Sequence, residues 1–120
     1  MSKISLLDGK RVVLGVTGSI ACYKAVDLAS KLTQAGVLVD VILTEGAQKF
    51  VTPLTFRSVT GRPSYTDMWS TEQHVQHVGL GESANLLVIA PATAHTLAKM
   101  AHGLADNLLT VTALAARCPI

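Results

Sequence analysis

The residues with the clearest chemical potential form a glycine turn, Gly15-Val-Thr-Gly18-Ser19. The turn follows an apolar segment and leads directly into a segment with helical periodicity, so its backbone amides start a helix. The first amides of a helix have no intrahelical acceptor, and the helix dipole favours negative charge at that end. The turn therefore predicts an anion site, and a phosphate is the expected guest.

The residues around the turn narrow the types of phosphate compound that it is expected to bind. The P-loop pattern is absent because Lys24 falls more than one turn into the helix, and GxGxxG is absent because only Gly15 and Gly18 are present. Asp40 has about the separation of a ribose-binding carboxylate, but apolar residues continue the strand to Thr44. A hydroxyl at this strand end favours a mononucleotide over a dinucleotide. A tight turn closed by an ordinary helix cap remains the alternative.

A second turn of similar type lies in "VIAPATAHTLAKM". Residues Pro91 to Thr96 follow a buried apolar strand and open a helix, and they offer the hydroxyls of Thr93 and Thr96. Two such turns at the carboxyl ends of parallel strands are where a doubly wound sheet binds its ligand. An ordinary connecting loop remains possible for this segment.

Strands that alternate with helices position both turns. This alternation predicts an α/β fold with a doubly wound parallel sheet and right-handed crossovers. The predicted strands are Val12–Val16, Val37–Thr44 and Ala84–Pro91. The predicted helices run from Ile20 to near Gly36, from Glu45 to about Phe50, from Pro53 to Val59, from Thr96 to His102, and from a cap at Asp106 to Arg117.

Composition sets the class of protein. With 120 residues, of which 49% are hydrophobic, the chain 1–120 is predicted to be one domain. A net charge of +2 without a basic run argues against binding to nucleic acid or to an anionic membrane. Neither a secretion signal nor a membrane span is recognisable, and the two cysteines, Cys22 and Cys118, have no paired spacing, so a cytoplasmic location is expected. The ending "ARCPI" is typical of a helix end followed by a new strand, which predicts that C-terminal strands of the domain are missing.

Three segments in order carry a family resemblance: "GVTGSIACYKA", "HVGL" and "NLLVIAPATAHTLAKMAHGLADNLL". From Lys10 to Ile120 the chain resembles the homo-oligomeric flavin-containing cysteine decarboxylases, and most of all the branch that acts in coenzyme A biosynthesis. The resemblance implies a flavodoxin-like, three-layer αβα fold that binds FMN. It also implies a carboxy-lyase that converts 4′-phosphopantothenoylcysteine to 4′-phosphopantetheine.

The resemblance also assigns residues. The FMN phosphate is expected against Thr17, Gly18, Ser19 and Ile20, with Thr44 beside it. The ribityl chain and ring are expected at Pro91, Ala92, Thr93, Ala94, His95 and Thr96. His77, from the "HVGL" segment, matches the active-site histidine of the family, and an imidazole can act as acid or base near neutral pH.

The four histidines do not form a recognisable metal site, because His74 and His77 lack a cysteine or carboxylate cluster that completes a ligand set. No metal is expected. Two positions depart from the family pattern: His95 stands where an asparagine is usual, and Asn85 stands where an aspartate usually precedes the strand. An imidazole does not reproduce the donor–acceptor fork of an amide, so the orientation of the flavin depends on this position.

Partners and rival functions follow from the same resemblance. Family members assemble as homotrimers or multiples of trimers, and a ligase domain that makes the substrate is fused to the decarboxylase or separate from it. The alternatives are a non-catalytic flavin-binding regulatory or scaffold protein, a relative that decarboxylates a peptide C-terminal cysteine, a flavin prenyltransferase, and a plain nucleotide-binding module. The family's later Asn-containing segment and cysteine-bearing flap are not in this sequence.

Overall fold

The computed structural model describes residues 3–69 and 79–120. In these residues a parallel sheet of four strands has the order β3-β2-β1-β4. The strands are β1 (Arg11–Val16), β2 (Leu38–Leu43), β3 (Ser64–Tyr65) and β4 (Leu86–Ile89). The chain passes from β1 to β2 on one side and returns later to β4 on the other, so the strand order reverses at β1. In open α/β sheets, ligands bind beside the carboxyl ends of the strands at such a reversal.

The helices cover both faces of the sheet. They are α1 (Cys22–Gln34), α2 (Pro53–Thr60), the helical residues 79–83, α3 (Ala94–His102) and α4 (Leu108–Ala115), with a single 3₁₀ turn at Ala47–Lys49. None of the helices in the described part of the chain is long and apolar enough to cross a bilayer.

Alternate residues of β1 face opposite cores, as the two-residue period of a strand requires. Leu14 packs with α1 and with Phe56 of α2, whereas Val13 packs with Leu108 and Leu109 of α4. Gly15 lets α4 approach closely, because a Cβ atom at this position would overlap the side chain of Leu109. The predicted α/β fold with a doubly wound parallel sheet and helices in two outer layers is therefore confirmed.

Several predicted boundaries are wrong. Helix α1 begins at Cys22 rather than Ile20, and the Ile20 side chain is 75% exposed instead of facing the core. Residues 20 and 21 belong to the turn because no capping side chain starts the helix earlier. The segment from Glu45 to Phe50 forms only one 3₁₀ turn, at Ala47–Lys49.

Helices α3 and α4 also differ from the prediction. Helix α3 begins at Ala94, two residues before the predicted start, because Thr93 caps it. The cap of α4 is Asn107 and not Asp106: the side-chain Oδ1 of Asn107 accepts a hydrogen bond from the Thr110 backbone amide at 2.9 Å, and the Thr110 hydroxyl accepts one from the Asn107 backbone amide. The α4 helix ends at Ala115 rather than Arg117.

The backbone amide and the side-chain carboxamide of Asn85 both form hydrogen bonds with the first residue of β1. Its Oδ1 accepts a hydrogen bond from the Arg11 amide at 2.8 Å, and its own amide donates to the Arg11 carbonyl at 2.8 Å. The acceptor is thus the side-chain oxygen of Asn85, and an aspartate at this position would offer an equivalent oxygen. On the other side of β4, the Leu87 amide donates to the Pro119 carbonyl at 3.0 Å.

Candidate functional site

A cleft of about 640 Å³ opens at the carboxyl ends of β1, β2 and β4, within the usual volume of a small-molecule site. It brings together five residues that the sequence singled out: Gly18, Thr44, Thr93, His95 and Thr96. The other lining residues are Glu45, Gly46, Lys49, Lys99, Asp106 and Asn107.

The first turn of the cleft leaves its backbone amides available. Helix α1 has no side-chain cap, because the N-cap residue is Ala21. The Ser19 hydroxyl accepts from the Ala21 amide at 3.2 Å, and the Ser19 carbonyl accepts from the Cys22 amide at 3.0 Å. Among the described residues, the amides of Gly18, Ser19 and Ile20 have no acceptor. Three successive free donors at a helix start are the arrangement that binds a phosphate.

Glycine is required at the centre of this turn. A Cβ atom on Gly18 would lie 2.8 Å from the carbonyl carbon of Gly46, so the backbones of two loops approach each other here. The reverse position is less restricted, because a Cβ on Gly46 would lie 3.4 Å from the Gly18 Cα. The backbone of the first turn is therefore packed closely against the loop that follows β2.

Thr17 joins the first turn to the second. Its side chain is buried, with 1% of the residue exposed, and its hydroxyl accepts a hydrogen bond from the Thr93 amide at 2.9 Å. The same hydroxyl donates to the Pro91 carbonyl, which also accepts from the Thr17 amide at 3.3 Å. Thr17 thus lies behind the cleft and ties its two turns together, instead of lining it.

The second turn uses its own side chains to satisfy its backbone. The Thr93 hydroxyl accepts from the Thr96 amide at 3.2 Å and contacts the Thr96 hydroxyl at 3.2 Å. His95 lines the cleft from the first turn of α3. Three predicted residues of this segment, Pro91, Ala92 and Ala94, belong to the same turn but do not line the cleft.

Thr44 and Asp40 have different roles on β2. Thr44 follows the strand, lines the cleft and accepts from the Ala47 amide through its hydroxyl at 3.2 Å. Asp40 is 2% exposed and binds Arg62 through both carboxylate oxygens, at 3.0 and 3.2 Å. The hydrogen bonds that Arg62 donates to the Asp40 carboxylate raise the pKa of Arg62 above its usual value. Asp40 is thus committed to an internal ion pair, and Thr44 is the β2 residue at the ligand edge.

An ion pair that the sequence analysis missed forms another wall. The Lys99 ammonium lies 2.9 Å from Asp106 Oδ1, and both residues line the cleft. The hydrogen bond from Lys99 holds the pKa of Asp106 below its usual value, and the positive charge of Lys99 acts in the same direction. These residues are seven positions apart across a helix end, so neither helical periodicity nor a known motif signals the pair.

A smaller cavity of about 140 Å³ adjoins the cleft. The two cavities share Thr44, Glu45, Asp106 and Asn107. The smaller one also has Trp69 and Met68 in its lining. His77, the predicted catalytic residue, lies outside the described residues. Within residues 3–69 and 79–120, no group of three side chains is placed to hold a metal ion.

The comparison with protein families matches the sequence profile described as Flavoprotein to residues 2–120. The chain belongs to the Flavoprotein family. This assignment agrees with the fold and with the cleft at the carboxyl ends of the strands, and it confirms the resemblance drawn from the sequence motifs.

Curated relatives refine the comparison. The chain is 50% identical over 111 residues to the coenzyme A biosynthesis bifunctional protein CoaBC of Mycolicibacterium smegmatis, covering 92% of the chain and 27% of that protein. It is 44% identical over 108 residues to a probable phosphopantothenoylcysteine decarboxylase of Streptococcus mutans, covering 88% of the chain and 60% of that protein. The chain thus spans about a quarter of the first relative's length and somewhat over half of the second's.

Solved structures share the fold. The FMN-dependent cysteine decarboxylase SpaF superposes with a TM-score of 0.84 at 39% identity, covering 94% of this chain and 66% of that one. The FMN-dependent cysteine decarboxylase TvaF from thioviridamide biosynthesis superposes with a TM-score of 0.82 at 30% identity, covering 93% and 74%. The flavodoxin-like α/β architecture expected from the sequence is therefore confirmed.

Proposed function

We propose that this chain binds FMN and provides the flavin site for decarboxylation of 4′-phosphopantothenoylcysteine to 4′-phosphopantetheine in coenzyme A biosynthesis. The observation that carries the proposal is the first turn, where the amides of Gly18, Ser19 and Ile20 are free at the switch point of the sheet. The likeness to the CoaBC proteins and to the decarboxylase of Streptococcus mutans supports the choice of substrate.

The residues present fit FMN. The free amides offer donors to a phosphate, and the close approach of Gly18 to Gly46 leaves no space for a side chain at Gly18. We assign the phosphate to Gly18, Ser19 and Ile20, with the Thr44 hydroxyl beside it and Thr17 holding the turn from behind. The ribityl chain and ring are assigned to the second turn, Pro91 to Thr96.

Removal of CO₂ from an sp³ carbon needs an electron acceptor, because the electrons of the broken bond have no conjugated group to receive them. When bound, FMN would supply a reversible two-electron acceptor: the cysteine side chain would be oxidised so that the electrons of the breaking bond can delocalise onto sulfur as CO₂ departs, and the same two electrons would then be returned to the product, which leaves no net oxidation. The chain's own contribution is to bind, orient and exclude water. His77 is proposed as the base or orienting group near the substrate thiol, because an imidazole exchanges protons near neutral pH.

A second candidate is the same reaction on another terminal cysteine, for example that of a peptide. The superposition on SpaF and TvaF favours it, since both are described as FMN-dependent cysteine decarboxylases. The higher identity to the CoaBC proteins makes 4′-phosphopantothenoylcysteine the first choice.

We further propose a cytoplasmic homotrimer, or a multiple of trimers, that receives its substrate from a ligase domain fused to it or separate from it.

The test combines flavin absorption with product analysis. The purified protein is titrated with FMN and then incubated with 4′-phosphopantothenoylcysteine or with a peptide ending in cysteine, while CO₂ release and the thiol product are measured. We expect a bound flavin band and turnover of the phosphorylated substrate. His77→Asn should keep the flavin band and lose turnover. Turnover of the peptide alone would favour the second candidate, and bound flavin without any turnover would indicate a binding protein.

A further inference from the structure

The ion pair between Lys99 and Asp106 differs from the Lys31–Asp27 ion pair of α1. The Lys31–Asp27 pair joins neighbouring turns of α1, and both side chains are more than half exposed. The Lys99 side chain is only 17% exposed, and its partner lies beyond the end of its helix. Lysine side chains are seldom so well buried unless they have a partner. The site therefore holds the ammonium in a defined place.

Lys99 also organises the loop between α3 and α4. Its carbonyl accepts from the Leu104 amide at 2.8 Å where α3 ends, and its ammonium binds Asp106 at the other end of the loop. Asp106 immediately precedes Asn107, the cap of α4. One residue thus fixes both ends of the loop by which Asp106 and Asn107 reach the cleft.

The position of Asp106 makes its charge important for a ligand. Asp106 lines both the cleft and the adjoining cavity, and its carboxylate is exposed to them. Two acidic side chains, Glu45 and Asp106, and two basic ones, Lys49 and Lys99, line the cleft. Without Lys99 the net charge of these lining side chains becomes negative. The Asp106 carboxylate, where the two cavities meet, would then repel an anion bound at the first turn.

We propose that Lys99 is a positioning residue of the flavin cleft: it holds Asp106 at the junction of the two cavities and compensates the charge of its carboxylate, which would otherwise repel a phosphorylated ligand. The proposal rests on the proposed function, because FMN supplies the anion. It assigns no contact between Lys99 and the flavin. It therefore predicts that the effect of losing Lys99 depends on Asp106.

The experiment compares FMN with riboflavin, which lacks the phosphate, in fluorescence titrations of the full chain. Lys99→Met should weaken FMN binding about three- to tenfold and riboflavin binding less than about twofold, as expected for a like charge at a distance across a solvated cleft. Lys99→Arg should bind FMN like the wild type. Adding Asp106→Asn to Lys99→Met should restore FMN affinity to within about twofold, because the unpaired carboxylate is removed.

Lys31→Met is the matched control, because it breaks an ion pair on α1 outside the cleft and should change neither affinity. Thermal unfolding of each variant separates loss of fold from loss of binding. Equal weakening of FMN and riboflavin, or a double variant as weak as Lys99→Met, would overturn the proposal. A wild type that binds no FMN would overturn the proposed function and this inference with it, whereas FMN binding that is unchanged in Lys99→Met would overturn this inference alone.

Discussion

The two turns at the edge of the sheet begin helices in opposite ways. Helix α3 is capped by its own Thr93, whose hydroxyl accepts from the Thr96 amide. Helix α1 has no such cap, and the amides of Gly18 to Ile20 have no acceptor among the described residues. An uncapped helix start costs stability unless a ligand or solvent takes the place of the cap. The difference supports the proposal that the first turn binds an anion and that the second turn positions side chains.

The largest effect should come from filling the space between Gly18 and Gly46. Gly18→Ala places a Cβ 2.8 Å from the Gly46 backbone, so the first turn must move. We expect FMN binding to be lost and the free energy of unfolding to fall by about 1–3 kcal/mol, as for other overpacked sites. Flavin absorption and urea unfolding measure the two effects. Gly46→Ala is the matched control, since its Cβ makes only an ordinary contact at 3.4 Å; equal losses in both variants would contradict the account.

The next effect concerns the link between the turns. Thr17→Val keeps the shape of the side chain but leaves the Thr93 amide and the Pro91 carbonyl without its hydroxyl. We expect about 1–3 kcal/mol lower stability and weaker binding of both FMN and riboflavin, because both turns shift. Thr112→Val serves as control: Thr112 is equally buried, but its hydroxyl donates within its own helix, to the Leu108 carbonyl. Unchanged flavin binding in Thr17→Val would show that the turns are independent.

A smaller effect is expected at the capped turn. Thr93→Ala removes the α3 cap and should lower the free energy of unfolding by about 1 kcal/mol. Thr52→Ala removes a similar cap from α2, where the Thr52 hydroxyl accepts from the Thr55 amide at 3.3 Å. Both variants should lose similar stability in thermal unfolding, but only Thr93→Ala should weaken FMN binding, because only Thr93 lines the cleft. Equal flavin affinity in the two variants would remove the second turn from the site.

The smallest effect depends on pH. Lys99 lowers the pKa of Asp106, so the ionised carboxylate stabilises the folded chain above its usual pKa of 3.8, and this contribution disappears as the pH falls through the lowered value. Asp106→Asn should therefore reduce the melting temperature slightly at pH 7. The difference from the wild type should vanish in strong acid. A difference that persists there would mean that the substitution acts through packing and not through charge.

The sequence predicted the strands that form the centre of the sheet because β1, β2 and β4 are short apolar runs bounded by turn residues. It also predicted the positions of both turns, because glycine, proline and threonine after such runs are typical of a loop that ends a strand and starts a helix. It missed β3, because Ser64–Tyr65 is only two residues long and follows a Gly-Arg-Pro segment that reads as a turn.

The side chains that complete the cleft were less predictable. Asp106 and Asn107 are adjacent and both suit a helix cap, and only the capping box with Thr110 decides for Asn107. The Asp40–Arg62 and Lys99–Asp106 pairs join residues from different elements, so their contacts depend on how those elements pack. Sequence patterns describe single elements well but do not describe the distances between them.

The most direct test of the central claim is the affinity of the wild-type chain for FMN compared with riboflavin, measured by fluorescence titration at low and high salt. If the uncapped first turn holds the phosphate, FMN should bind at least about tenfold more tightly than riboflavin, since hydrogen bonds from several amides to a charged group each contribute about 1.5–3 kcal/mol. Equal affinity for the two flavins would contradict the account, because the free amides of the first turn would then have no part in binding.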